Sequence, residues 1–297
     1  MKPSALLSYS GPLPVPTLPG WINPNRAEGI EDACFLSGAA LSLLHLACAH
    51  PDIPQALWRA RLALDAAEAC VRGAGRRERV ADLRDAMHLT RPGDHPGPAG
   101  EVLQHWSRAV ERPVSAASLS RALPKLAPET IALMLDAAGQ GGAVTRAAMV
   151  IEAVLVDSPR AEVPAMILGD AVLAQALGWS HLVPLLASGL KTRDLRQRGE
   201  ALRLACHRAV VASARPAIQT AADLMRRADR LRAVAPKLRA KGAARAVEVL
   251  LTQDAVAPSA LVPILSDRAA RRLCDRLVAL GVVRELTGRE TFRLYGL

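Results

Sequence analysis

The chain has 297 residues, 51% of them hydrophobic, so it can bury a sizeable core and is too apolar for a disordered protein. Only 3% are aromatic, which argues against a β-sandwich rich in Tyr and Phe, while the abundance of Ala and Leu favours helix. Lys and Arg total 38 against 28 Asp and Glu, a net charge of +10.

Residues 1–26 carry Pro3, Pro12, Pro14, Pro16, Pro19 and Pro24 and read as an extended arm, docked on the body through Leu18, Trp21 and Ile22. The prolines also break any secretory-signal pattern. A first helix is expected over 28–49, with Glu28, Glu31 and Asp32 in its first turn, where the macrodipole favours acids. Its stretch Ala33 to Ala49 is the longest apolar run. Ser37, Gly38, Ser42 and His45 interrupt it, so it reads as a buried helix rather than a membrane span, and no membrane partner is expected. Further helices are expected over 54–72 and 76–89.

Residues Arg91 to Gly100, with three Pro and three Gly, stop regular structure. They offer Arg91, Asp94 and His95 on a loop, a conceivable acid–base site; the plainer account is a connector whose Pro and Gly fix the chain path. Helices resume at about 100–111, 115–123, 128–138, 143–156, 161–177 and 180–189. A long amphipathic pattern follows from Lys191 to Ala214. Pro216 then fits the first turn of a further helix to Ala235, before Pro236.

The charge is unevenly spread. Five Lys leave 33 Arg, a ratio that, with so much Ala, matches coding bias in a GC-rich bacterial genome. Bias of that kind acts evenly, yet residues 1–189 hold 16 basic and 18 acidic residues and residues 190–297 hold 22 and 10. A basic C-terminal third points to an acidic partner, most commonly nucleic acid.

Residues 241–297 carry the strongest pattern. A helix over Gly242–Thr252 is followed by a turn and a short helix over Ser259–Leu265. Ser266-Asp267 then caps a third helix to Leu280, buried through Ala270, Leu273, Leu277 and Leu280 and ended by Gly281. Two β-rich runs, Val282–Leu286 and Thr291–Tyr295, flank a Gly-containing turn as a hairpin. Three helices and a hairpin are the order of a winged helix-turn-helix, with the third helix sized for a major groove. Arg268, Arg271, Arg272 and Arg276 lie on its outer surface, and Arg289 lies in the wing. Arg226 and Arg230 lie on the stem leading in, where residues 190–240 carry 13 basic against 4 acidic residues.

The other constellations are weak. His45, Cys48 and His50 lack the second half of a zinc site, so no metal is expected. Cys206 and His207 are adjacent on a helix and point about 100° apart, which argues against a nucleophile–base pair. Gly139–Gly142 lacks the Lys-Ser/Thr of a phosphate-binding loop and reads as a helix stop. Five scattered Cys without a CxxC read as reduced, mostly buried thiols of a cytoplasmic protein. No cofactor is implied and no catalytic motif is present.

Asp85–Thr90 together with Arg91-Pro-Gly-Asp-His-Pro-Gly-Pro-Ala-Gly100 resembles the central signature of an uncharacterised alphaproteobacterial family, the domain of unknown function 1403. The ending Asp275–Leu297 is similar to its tail. The resemblance implies a bacterial, soluble, mostly helical protein and transfers no functional residue.

The expected fold is all-α: a Pro-rich arm at 1–26, a multi-helix body at 27–235 and a C-terminal winged helix-turn-helix at 241–297. The expected function is DNA binding without catalysis, in transcriptional regulation or plasmid or chromosome maintenance. The body would supply a homodimer or protein-partner surface. The alternatives are a protein-interaction module that uses the same winged helix, and an enzyme centred on the 91–100 loop.

Overall fold

A computed structural model describes residues 15–91, 93–136, 141–238 and 241–297. Among these residues the fold is all-helical, with twelve α-helices and one two-stranded sheet. The helices are α1 (Ile30–Cys48), α2 (Gln55–Gly73), α3 (Val80–His88), α4 (Gly97–Glu111), α5 (Ala116–Ala122) and α6 (Pro128–Asp136). They continue with α7 (Ala143–Asp157), α8 (Glu162–Ala176), α9 (Leu186–Gly189), α10 (Gly199–Val234), α11 (Ala243–Thr252) and α12 (Asp267–Ala279). The strands are β1 (Arg284–Glu285) and β2 (Tyr295–Gly296).

The core is built around α8, which is buried without interruption from Ala165 to Ala174. A helix apolar all round has no solvent face to offer and takes a central place. It packs on α7, α6 and α9, while α1 lies along α10 and α2 along α4. Trp58 of α2 is fully buried, and its indole N–H donates to the Ala217 carbonyl of α10 at 2.9 Å. Burying so large a ring contributes about 2–3 kcal/mol, provided its N–H finds such a partner.

The arm is clamped where it is described. Leu18 and Ile22 are buried, and Trp21 stacks on Phe35 of α1 with ring centroids 5.6 Å apart. The Arg215 guanidinium donates to the carbonyls of Leu18, Pro19 and Ile22, and Arg208 donates to that of Ala27.

Four local expectations need correction. Pro216 does not open a new helix; α10 runs unbroken for 36 residues with Pro216 inside it. The missing N–H frees the carbonyl of Ala212, and Ala212 and Pro216 are both exposed, so the interruption falls on the solvent side of the helix. The expected helix over 180–189 shrinks to α9, because Pro184 biases the preceding backbone away from helix. The Pro–Gly stop is shorter than expected: α4 begins at Gly97, with Pro98 in its first turn where no N–H is needed. The short helix over Ser259–Leu265 is a single 3-10 turn, Pro258–Leu261, cut off by Pro263. Gly139 and Gln140 of the Gly139–Gly142 segment lie outside the described residues, and Gly142 is the N-cap of α7.

The N-terminus of α9 is capped from within the core. Asp170 of α8, wholly buried, accepts the backbone N–H groups of Leu185 and Leu186 at 3.1 Å each. Burial pushes its pKa up to about 8, although the two N–H bonds oppose the rise. An unfolded Asp titrates near about 4. Between these values the folded state holds more protons than the unfolded one, so Asp170 makes stability fall as pH rises through this window. In thermal melts from about pH 4 to 8, wild type is expected to lose stability more steeply than Asp170→Asn, which cannot titrate; parallel profiles would refute the assignment.

Candidate nucleic-acid interface

The last 57 residues build one outward-facing helix. Gly242 adopts φ +94°, where a Cβ would lie 2.9 Å from the Ile264 carbonyl oxygen, so a glycine is needed to bring the start of α11 against residue 264. Ala246, Val247, Leu250 and Leu251 form the buried stripe of α11. Val256 then pairs with Tyr295 through two backbone bonds of 2.8 and 2.9 Å, while Glu285 faces Tyr295 from the other side. Extended backbone at Val256, β2 and β1 therefore lies side by side.

Helix α12 starts where Ser266 Oγ accepts the Ala269 N–H and stops at Gly281 (φ +68°), with the Val282 N–H reaching back to the Leu277 carbonyl. Ala270, Leu273, Cys274 and Leu277 face inward and are buried. Leu280, expected in that stripe, is exposed. Arg268, Arg271, Arg272, Asp275 and Arg276 are exposed on the other side. Arg271 pairs with Asp267 at 3.1 Å. Arg268, Arg272 and Arg276 take part in no ion pair among the described residues. Three cations on one helix, with no carboxylate paired to them, make a positive strip.

That strip extends past the start of the helix. Lys241 and Arg245 are exposed beside Ser266 and Ala269, around an open depression of about 790 Å³. Neither forms an ion pair among the described residues. The free N–H groups at the start of α12 add positive potential at the same place. By sequence Lys241 falls on the basic stem leading in, whereas Arg245 is not legible as part of the strip, because only the turn at Ile264 brings it to α12.

The other residues expected at the interface fall elsewhere. Arg289 is not free in a wing: it holds Asp85 of α3 with two contacts, 2.9 and 2.6 Å. Asp254, just after α11, is gripped by Arg84 at 2.6 and 3.0 Å and by Arg61, and Arg61 also donates to the Leu297 carbonyl. The C-terminal segment is thereby fastened to α2 and α3 by charge-assisted bonds. Arg226 is exposed but shares Asp223 with Arg227; Arg230 is exposed and unpaired among the described residues.

Among the described residues the one ionic contact of the 91–100 loop is His95 Nε2 at 3.8 Å from Glu101 of α4. Arg91, Asp94 and His95 are all exposed. His95 Nδ1 accepts the Gly97 N–H at 3.0 Å, next to the start of α4, and Asp94 closes a turn on the Arg91 carbonyl. Of His45, Cys48 and His50, the first two border one depression and His50 does not: His45 takes the Trp179 indole N–H at 3.0 Å, and burial pushes the Cys48 thiol up to about 12. Helix α1 is long and apolar enough to cross a membrane by length and composition; in this fold its inner face from Ala33 to Ala47 is buried, much of it against α10.

Comparison with the curated proteins gives no match. A family model does match, over residues 8–297 and so nearly the entire chain, and the protein therefore belongs to the family described as protein of unknown function (DUF1403).

Proposed function

We propose that the chain binds double-stranded DNA, with no catalysis at that interface, using residues 241–297 as a winged helix-turn-helix with α12 as its recognition helix. The observation that carries this reading is the row Arg268, Arg272 and Arg276, exposed and unpaired among the described residues on a helix whose other side is buried. Support comes from the order of elements: helix, extended residue, helical turn, helix, strand, strand. A helix of 13 residues is about 20 Å long and fits a groove about 12 Å wide. In this arrangement Arg272 and Arg276 face base edges, and Arg268, Lys241 and Arg245 face phosphates. Arg289 is not assigned a groove contact, because Asp85 occupies it.

The test is an anisotropy titration of the full chain on a labelled duplex of about 20 base pairs at several salt concentrations. Five cations predict a slope of log K against log salt of about −4 to −5. A second reading, a protein-binding winged helix, draws on the exposed Val278 and Leu280 at the end of α12. No binding at low salt, or a slope near zero, would leave that reading in place of DNA.

A further inference from the structure

Where α1 lies along α10, two residues one turn apart on α1 meet one histidine of α10. The His207 ring places Nδ1 2.7 Å from Ser37 Oγ and Nε2 3.4 Å from Cys34 Sγ. Ser37 is 1% exposed and His207 5%, while Cys34 is exposed. When Ser37 Oγ gives its single proton to the Cys34 carbonyl at 3.1 Å, it accepts from Nδ1–H, and this tautomer leaves the lone pair of Nε2 facing the thiol. A nucleophile, a base and a third group that sets the base's tautomer are the parts of an activated cysteine.

The three groups also have somewhere to act. Cys34, Ser37 and His207 border a cavity of about 550 Å³ whose apolar walls include Leu41, Val144 and Leu177. This size and lining suit a small, mostly apolar ligand. Burial, with the Arg203 charge one turn earlier, holds His207 down to about 4, so the resting imidazole is neutral and keeps a lone pair on one ring nitrogen. The other four thiols are half-buried or buried. Burial pushes Cys70 and Cys48 up to about 12 and Cys274 up to about 11, and raises Cys206 as well.

We infer that Cys34 is an acyl-accepting nucleophile, with His207 as its general base and Ser37 as a positioning residue, and that the cavity takes a short-chain activated ester or thioester. In the step, Sγ attacks the acyl carbon as Nε2 takes the thiol proton. The bond from the acyl carbon to the leaving oxygen or sulfur breaks, and that atom departs with the electron pair. A thioester on Cys34 and a protonated His207 remain, and the imidazolium passes its proton to the leaving group.

The test uses the full chain with 4-nitrophenyl butyrate, reading nitrophenolate release and the butyryl mass on peptides. One equivalent of rapid release is expected, with the label on Cys34. Cys34→Ser should abolish it and Cys48→Ser should not. His207→Gln should slow it by about 100-fold. Ser37→Ala should slow it while Ser37→Thr, which keeps the hydroxyl, restores it. Wild-type label spread over several cysteines, or Cys34 acylation no faster than that of free glutathione, overturns the inference without reliance on any variant.

Discussion

Reversing two charges on α12 with Arg272→Glu/Arg276→Glu is expected to weaken duplex binding by at least about 100-fold. Each arginine lost removes about one unit from the salt slope, and each glutamate gained adds repulsion against phosphate. Both side chains are exposed and have no carboxylate partner among the described residues, so thermal stability should hold within about 0.5 kcal/mol. A binding loss with an unchanged melt locates the effect at the interface rather than in the fold. Anisotropy and circular-dichroism melts on the same preparation read both quantities. Unchanged affinity would remove α12 from the interface.

Gly189→Ala is expected to cost at least about 3 kcal/mol, a severe loss for the addition of one methyl group. A Cβ at this position would sit 2.5 Å from the Ala209 Cα and 2.7 Å from its carbonyl carbon. The obstacle is helix backbone, which has no rotamer with which to retreat, so α9 must lift off α10. That would also strain the Asp170 cap, since Leu185 and Leu186 begin the same turn. Gly38→Ala makes the contrast. It lies mid-helix in α1 with nothing within 4 Å of the added carbon, and the gain in helix propensity should stabilise by about 0.5–1 kcal/mol. Urea titrations of the two variants should move in opposite directions; equal shifts would contradict the close approach at Gly189.

Which parts were legible from the amino acids follows from how local each signal is. Helices α1, α2, α7 and α8 announce themselves through apolar runs and spacing, and Ser266 and Gly281 mark the ends of α12 through cap chemistry that involves only neighbours in sequence. Pro216 misleads because its effect depends on whether the Ala212 carbonyl faces water, a fact about tertiary packing. The outward arginine face of α12 was readable, since helical periodicity alone separates Arg272 and Arg276 from Leu273 and Leu277. Which arginines stay free was not. Asp85 lies 204 residues from Arg289, and nothing near either residue predicts their pairing. The same holds for Cys34 and His207, 173 residues apart. The sequence draws the eye to Cys206 beside His207, yet helix geometry turns these two apart and brings a thiol from another helix to the ring.

Arginine-selective modification with phenylglyoxal tests the central claim most directly, carried out on the full chain with and without duplex DNA and read by mass spectrometry on its peptides. Arg268, Arg272 and Arg276 should react readily in the free protein and become protected when the duplex binds. Arg289, held by Asp85, should react slowly in both states. Equal modification of the three α12 arginines with and without duplex, or protection confined to arginines of the helical body, would contradict DNA binding through α12.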